Sequence, residues 1–139
     1  MRLVADTSVL FSFFREGSET RKLVLNFELL ELFTPSFCVD ELREHRALIC
    51  KKSALSDRGF EEALDGLLMF VKVSPPSEYK ELFRAAKEIS PDPDDIDLFA
   101  LALKLNCPIW SQDKELGEGQ SEVKVLSTMK LIELLGTKP

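Results

Sequence analysis

The chain reads as an α/β protein: a three-layer α/β/α sandwich around a central, mainly parallel sheet. Short apolar runs of strand length alternate with segments whose apolar residues recur at helical spacing. The run Ile96-Asp97-Leu98-Phe99-Ala100-Leu101-Ala102-Leu103 is apolar nearly all round, as a helix packed deep against a sheet must be. Its 139 residues predict a single domain over 1–139, and roughly two-thirds of the unfolded surface of such a chain is buried without disulfide or metal staples.

Residues 2–5 form the first buried strand, and residues 7–14 the turn or helix after it. Glu16-Gly17-Ser18 breaks that segment, and Ser18 is placed to cap a helix over 20–25. A second strand over 29–34 is stopped by Pro35, after which Ser36 caps a helix running through Glu41, Leu42, His45 and Ile49. Ser56 and Asp57 open the next helix, with Phe60, Leu64, Leu67 and Leu68 on one face. Residues 70–73 make a third strand, ended by Pro75-Pro76, and a helix follows over about 78–89. Pro91-Asp92-Pro93 punctuates before the apolar helix of about 94–106. Strand four is 109–111 and strand five 123–126; Thr128 caps a last helix that Gly136 terminates.

Composition narrows the function. A hydrophobic fraction of 45% and a charged fraction of 30% suit a soluble globular protein. No apolar run approaches the ~20 residues of a membrane span, and Asp6 comes too early for a signal peptide, so the expected location is cytoplasmic. Cys38, Cys50 and Cys107 show no paired spacing and His45 is the only histidine, which argues against structural zinc and a disulfide framework. The net charge of −6 argues against tight nonspecific binding to nucleic acid, though not against a nuclease whose metal neutralises part of that charge.

In parallel sheets the strand carboxyl ends form the site-bearing edge. Asp6 and Asp113 each follow a short apolar run and fall on that edge, and helices starting there can bring Glu41 and Asp95 to it. Carboxylates rarely gather unless a cation holds them, so if these four meet at one point they indicate a hard divalent-metal site. Each has a bland reading. Asp6 and Asp113 can be helix or turn caps, and Glu41 a solvated surface acid beside Asp40 and Glu44. In Asp92-Pro93-Asp94-Asp95-Ile96-Asp97, Asp92 resembles a cap with Pro93 at the first helical position, and capping accounts for two of the four acids. Asp92 and Asp95 share a helix face, while Asp97 points roughly opposite. Asp95 is therefore placed at the site, with Asp92 as an additional or supporting ligand. Ser111 is placed to support the carboxylates. His45 and the cluster Arg43, Arg46, Lys51, Lys52 and Arg58 read as a solvated rim or an RNA-backbone contact, and Trp110 as core.

The order of these pieces resembles the PIN-domain family of nucleases. Leu3-Val4-Ala5-Asp6-Thr7-Ser8-Val9-Leu10 looks like its first motif, and the stretch from Pro35 to Glu41-Leu42 its second. The stretch from Asp92 through Leu103 resembles the third, an Asp before an alanine-rich helix, and Ser111-Gln112-Asp113 the fourth. The resemblance implies Mg²⁺- or Mn²⁺-dependent cleavage of RNA, with Asp6, Glu41, Asp95 and Asp113 as catalytic carboxylates. Asp6, Glu41, Asp92, Asp95 and Asp113 are the candidate ligands, and the third position stays open among Asp92, Asp95 and Asp97. It also implies kinship with VapC-type toxins of toxin–antitoxin pairs, although the segment 46–76 is longer than in the smallest of these. The partners in view are an RNA substrate, a small antitoxin protein and a second copy of the chain, with no membrane. The rival readings are a catalytically silent PIN-like module that binds RNA or protein, and a phosphatase. The Asp-x-Asp-x-Thr nucleophile pattern of one large phosphatase class is absent, since Asp6 is followed by Thr7-Ser8.

Overall fold

Five apolar runs pair into one sheet: β1 (Arg2–Ala5), β2 (Glu31–Pro35), β3 (Val71–Ser74), β4 (Ile109–Trp110) and β5 (Val125–Leu126). The computed structural model describes residues 1–26, 28–90 and 92–136. Every pairing is parallel and the spatial order is β3-β2-β1-β4-β5. Val4 lies opposite Phe33 on one side and Ile109 on the other, and Trp110 lies between Ala5 and Leu126. A parallel strand covered on both faces needs an unbroken apolar run, and Leu3, Val4 and Ala5 are fully buried. The order reverses between β1 and β4, so their carboxyl ends bound the crevice where such sheets carry sites.

The helices are α1 (Thr7–Phe13), α2 (Glu19–Val24), α3 (Ser36–Glu44), α4 (Arg46–Ser53), α5 (Asp57–Leu67), α6 (Phe83–Ile89), α7 (Ile96–Leu105) and α8 (Thr128–Leu135). Ser18 and Ser56 cap α2 and α5 as expected, each hydroxyl accepting from the backbone N–H three residues on at 3.0 Å. The apolar helix is α7: Leu98 to Ala102 are all buried, packed on β1, β2 and β4, with α6 alongside. Fully burying a side chain such as Phe99 or Leu101 contributes about 1.5–3 kcal/mol, so α7 is a main anchor of the sandwich.

Several boundaries differ from the sequence reading. The helix expected from Ser36 through Ile49 is two helices, with His45 between them at φ −99°, ψ 18°. The break lets α3 stay on β2 and β3 while α4 packs on α5. Ser36 is not a cap; Pro35 holds that position without a side-chain bond. Ser127, not Thr128, caps α8, its hydroxyl accepting from Lys130 N–H at 3.1 Å. Thr128 Oγ1 instead accepts from the indole of buried Trp110 at 3.1 Å, because a buried N–H needs a partner. The helix expected over 78–89 begins as 3₁₀ turns at Pro76–Glu78 and Lys80–Leu82 and becomes α-helical only at Phe83. Another 3₁₀ turn, Pro93–Asp95, precedes α7. Pro91 and residues 137–139, parts of the expected break and of the single domain, lie outside the described residues. Among the described residues no helix is long and apolar enough to cross a membrane.

Ala54 ends α4 in the left-handed region, φ 54° and ψ 44°. An L residue there costs about 1–2 kcal/mol, partly offset by the chain entropy that glycine adds to the unfolded state. Ala54→Gly is expected to stabilise the protein by about 0.5–1 kcal/mol in urea unfolding. A lowered midpoint would contradict it.

Candidate metal centre

Asp6 is the first residue past β1, at the crevice between β1 and β4, and is 8% exposed. The capping reading of it holds. It caps α1, with Oδ1 accepting from Val9 N–H at 3.1 Å and from the Ser8 hydroxyl at 2.5 Å. Its other oxygen accepts from the hydroxyl of Ser111, which follows β4 and is also buried. Burial pushes the Asp6 carboxyl above its ordinary range, against the bonds from Ser111, Ser8 and Val9, and the charge of Asp113 pushes the same way as burial.

The two serines have second partners. Ser8 Oγ accepts from Gln112 N–H at 3.0 Å, and Ser111 Oγ from Asp113 N–H at 2.9 Å. Asp113 Oδ1 in turn accepts from Glu115 N–H at 3.0 Å, which makes Asp113 a turn cap. Glu41 is half-buried on α3, beside the buried Cys38 and Leu42 and one residue short of solvent, and Thr7 Oγ1 donates to its Oε1 at 2.7 Å.

A pocket of about 150 Å³ is lined by Asp6, Thr7, Ser8, Phe37, Cys38, Glu41, Asp94, Asp95 and Leu98. The structure thus brings Asp6, Glu41 and Asp95 to one cavity, and Asp113 reaches it as a charge from the loop after β4. Asp95 registers the gathering: burial first, then Asp92, Asp113, Asp6 and Asp94, push its carboxyl up to about 6. Asp92 is exposed and caps the 3₁₀ turn, accepting from Asp94 N–H at 2.9 Å. Asp97 is engaged elsewhere, accepting from the hydroxyl of buried Tyr79 at 2.7 Å. Burial pushes the Cys38 thiol up to about 12, so it lines the pocket as a neutral group. Thr7 and Gln112 were not singled out from the sequence; Thr7 and Ser8, hydroxyls directly after Asp6, carried the available signal.

Among the described residues, none of Asp6, Glu41, Asp95 and Asp113 forms an ion pair with Lys or Arg. No three His, Cys, Asp or Glu side chains among them close into a ready-made ion cage. The donor chemistry nevertheless fits a hard divalent cation: all oxygen, half or more buried at three positions, and mutually repelling without a protein cation. The expected basic rim is mostly neutralised. Arg43 and Arg46 both meet Glu61, and Arg58 meets Glu62 at 3.2 Å. His45 is exposed between α3 and α4.

Comparison with known proteins supplies a family. The PIN domain family matches residues 4–132 of the chain. No curated protein sequence matches it. Among solved structures, the crystal structure of VapBC2 from Rickettsia felis bound to a DNA fragment from their promoter is similar, with a TM-score of 0.64 and 15% identity. The match covers 91% of this chain and 98% of that one, and what it shows is a shared fold.

The raised Asp95 carboxyl makes a signed prediction for the metal-free protein in EDTA. Its folded value of about 6 lies above the ordinary 3.8, so its contribution to stability is full below about pH 4 and is lost as pH rises through 6. Asp95→Asn cannot ionise. Its stability advantage over the parent should be smallest near pH 4, grow to pH 6 and level off above. After discounting for solvent screening it should reach on the order of 1 kcal/mol. Parallel stability curves for the two proteins across this range would refute the burial and repulsion that raise Asp95.

Proposed function

Since the chain belongs to the PIN-domain family, on its match over residues 4–132, we propose that it is a metal-dependent ribonuclease that hydrolyses RNA phosphodiester bonds. One observation carries the reading: Asp6, Glu41 and Asp95 line one pocket, the charge of Asp113 reaches Asp95, and among the described residues no Lys or Arg pairs with any of them. Asp6 and Asp95 would be the central ligands of Mg²⁺ or Mn²⁺, and Asp92 or Asp113 would complete the set directly or through water. Such an ion supplies charge neutralisation at a scissile phosphate and an acidified water. Glu41, held by Thr7, would ligate the ion or orient a water for attack. Ser8 and Ser111 fix the rotamer of Asp6 by bonding both of its oxygens. Products carry a 5′-phosphate and a 3′-hydroxyl.

The motif likeness to VapC-type proteins supports extending the proposal to a toxin of a toxin–antitoxin pair. Its partner is then a small antitoxin protein, and the single PIN domain acts in the cytoplasm. Relief of growth arrest by a neighbouring small open reading frame is the check on that extension.

Labelled RNA incubated with Mn²⁺ tests the core proposal. Cleavage should fall on the order of 100-fold or more in Asp6→Asn, and about 10–100-fold in Ser111→Ala, which keeps every carboxylate but frees Asp6 to turn. Cleavage that survives Asp6→Asn unchanged would sink the assignment. RNA binding without cleavage by the parent protein at any divalent concentration would favour the silent binding module.

A further inference from the structure

The acidic pocket is continued along α1. Ser8, Phe11 and Ser12 stand at i, i+3 and i+4, the spacing of one helix face, and Arg15 follows in the bend just past the end of the helix. Ser8 lines the acidic pocket, while Phe11, Ser12 and Arg15 line a second pocket of about 210 Å³. Lys52 and Ser53, from the end of α4, close its other side. Among the described residues no carboxylate lines it. The Lys52 ammonium lies 6.0 Å from the centre of the Phe11 ring, so the cation and the π-face border the same space.

These cations differ from their neighbours. Arg43, Arg46 and Arg58 are held by Glu61 and Glu62, whereas among the described residues neither Arg15 nor Lys52 forms an ion pair. In a chain of net charge −6, the uncompensated cations beside the acidic pocket decide where a polyanion can lie. Two cations, one aromatic face and two hydroxyls match the parts of a nucleotide: phosphate, base and sugar. From Asp6 to Phe11 is five residues, about 7.5 Å along a helix axis, or about two stacked nucleotide steps. A rival pocket contains Arg84 and Lys87 but also Asp97, whose charge opposes phosphate.

We propose that the Phe11–Arg15–Lys52 pocket is a nucleotide subsite, holding single-stranded RNA about two nucleotides from the bond cut at the acidic site. The inference rests on the ribonuclease reading for its substrate, but its test does not depend on cleavage. Fluorescence anisotropy with a short labelled single-stranded RNA, titrated in the Asp95→Asn background so that the RNA persists, measures binding. Arg15→Gln with Lys52→Gln should weaken binding about tenfold and reduce the salt-dependence slope by about 1.4, or 0.7 for each lost phosphate contact. Phe11→Leu should weaken it about tenfold with the slope unchanged, since a stacking face is lost without a charge. Arg84→Gln with Lys87→Gln should leave both within twofold. In the cleaving protein, Arg15→Gln with Lys52→Gln should raise KM and spare kcat.

Binding within twofold of the parent for Arg15→Gln with Lys52→Gln, or loss confined to the Arg84 and Lys87 pair, overturns the subsite. Phe11 is partly packed on the core, so if Phe11→Leu melts early the exposed Arg15 and Lys52 decide alone. Should the parent never cut RNA, the ribonuclease reading fails while the anisotropy series still decides the subsite. Should it cut RNA with binding unmoved, the subsite fails by itself.

Discussion

A carboxylate buried at the end of a parallel strand, with only neutral groups bonded to it, is the constraint on which this molecule turns. Asp6 is placed by β1, which is apolar because both of its faces are covered, and it cannot retreat to solvent without unwinding α1, which it caps. Its partners come from both sides of the sheet's reversal: Ser8 from α1, and Ser111 from the far end of β4, 105 residues away. Each serine passes the connection on, Ser8 to Gln112 and Ser111 to Asp113. The loop after β4 is thereby tied to α1 through one side chain. Hydrogen bonds to a charged acceptor contribute about 1.5–3 kcal/mol each. Burial still outweighs them, since the Asp6 carboxyl sits above its ordinary range.

The surrounding fold resists the repulsion that this arrangement creates. Asp95 is held at the mouth of α7, whose buried face is locked on three strands, so it cannot swing its helix away from Asp6 and Asp113. Glu41 is held by the neighbouring contacts of Cys38 and Leu42 on α3 and by Thr7 across the crevice. The stability that keeps like charges together therefore comes from apolar burial some distance away. That division is common where a site needs its groups poised before a ligand arrives.

What could be read from the sequence follows from how local each determinant is. Strands buried on both faces leave unbroken apolar runs, and α7 announces itself by being apolar on every side, so the α/β/α class and nearly every element were legible. The strand order was not, because the β1–β4 pairing joins segments 105 residues apart and leaves no local mark. Adjacent hydroxyls defeated the capping assignment at Ser127 and Thr128, where the Trp110 indole chose between them. Periodicity placed Asp97 opposite Asp95, and the structure gives the physical counterpart, a phenol from Tyr79 that takes Asp97. The basic cluster looked continuous only because its neutralising partners, Glu61 and Glu62, sit on the next helix.

Charge economy links the metal and the nucleic acid in the proposed function. A chain at −6, whose crevice carboxylates pair with no Lys or Arg among the described residues, repels phosphate at the place where the proposed reaction would put one. A divalent cation removes most of that local field, and a phosphate oxygen in turn gives the cation a further hard ligand. The two bindings are then coupled, and linkage requires that each raise the affinity of the other by the same factor. An acidic nuclease of this kind needs no large basic surface. It needs a few cations near the site, and Arg15 just past α1 and Lys52 at the end of α4 are those of the proposed subsite.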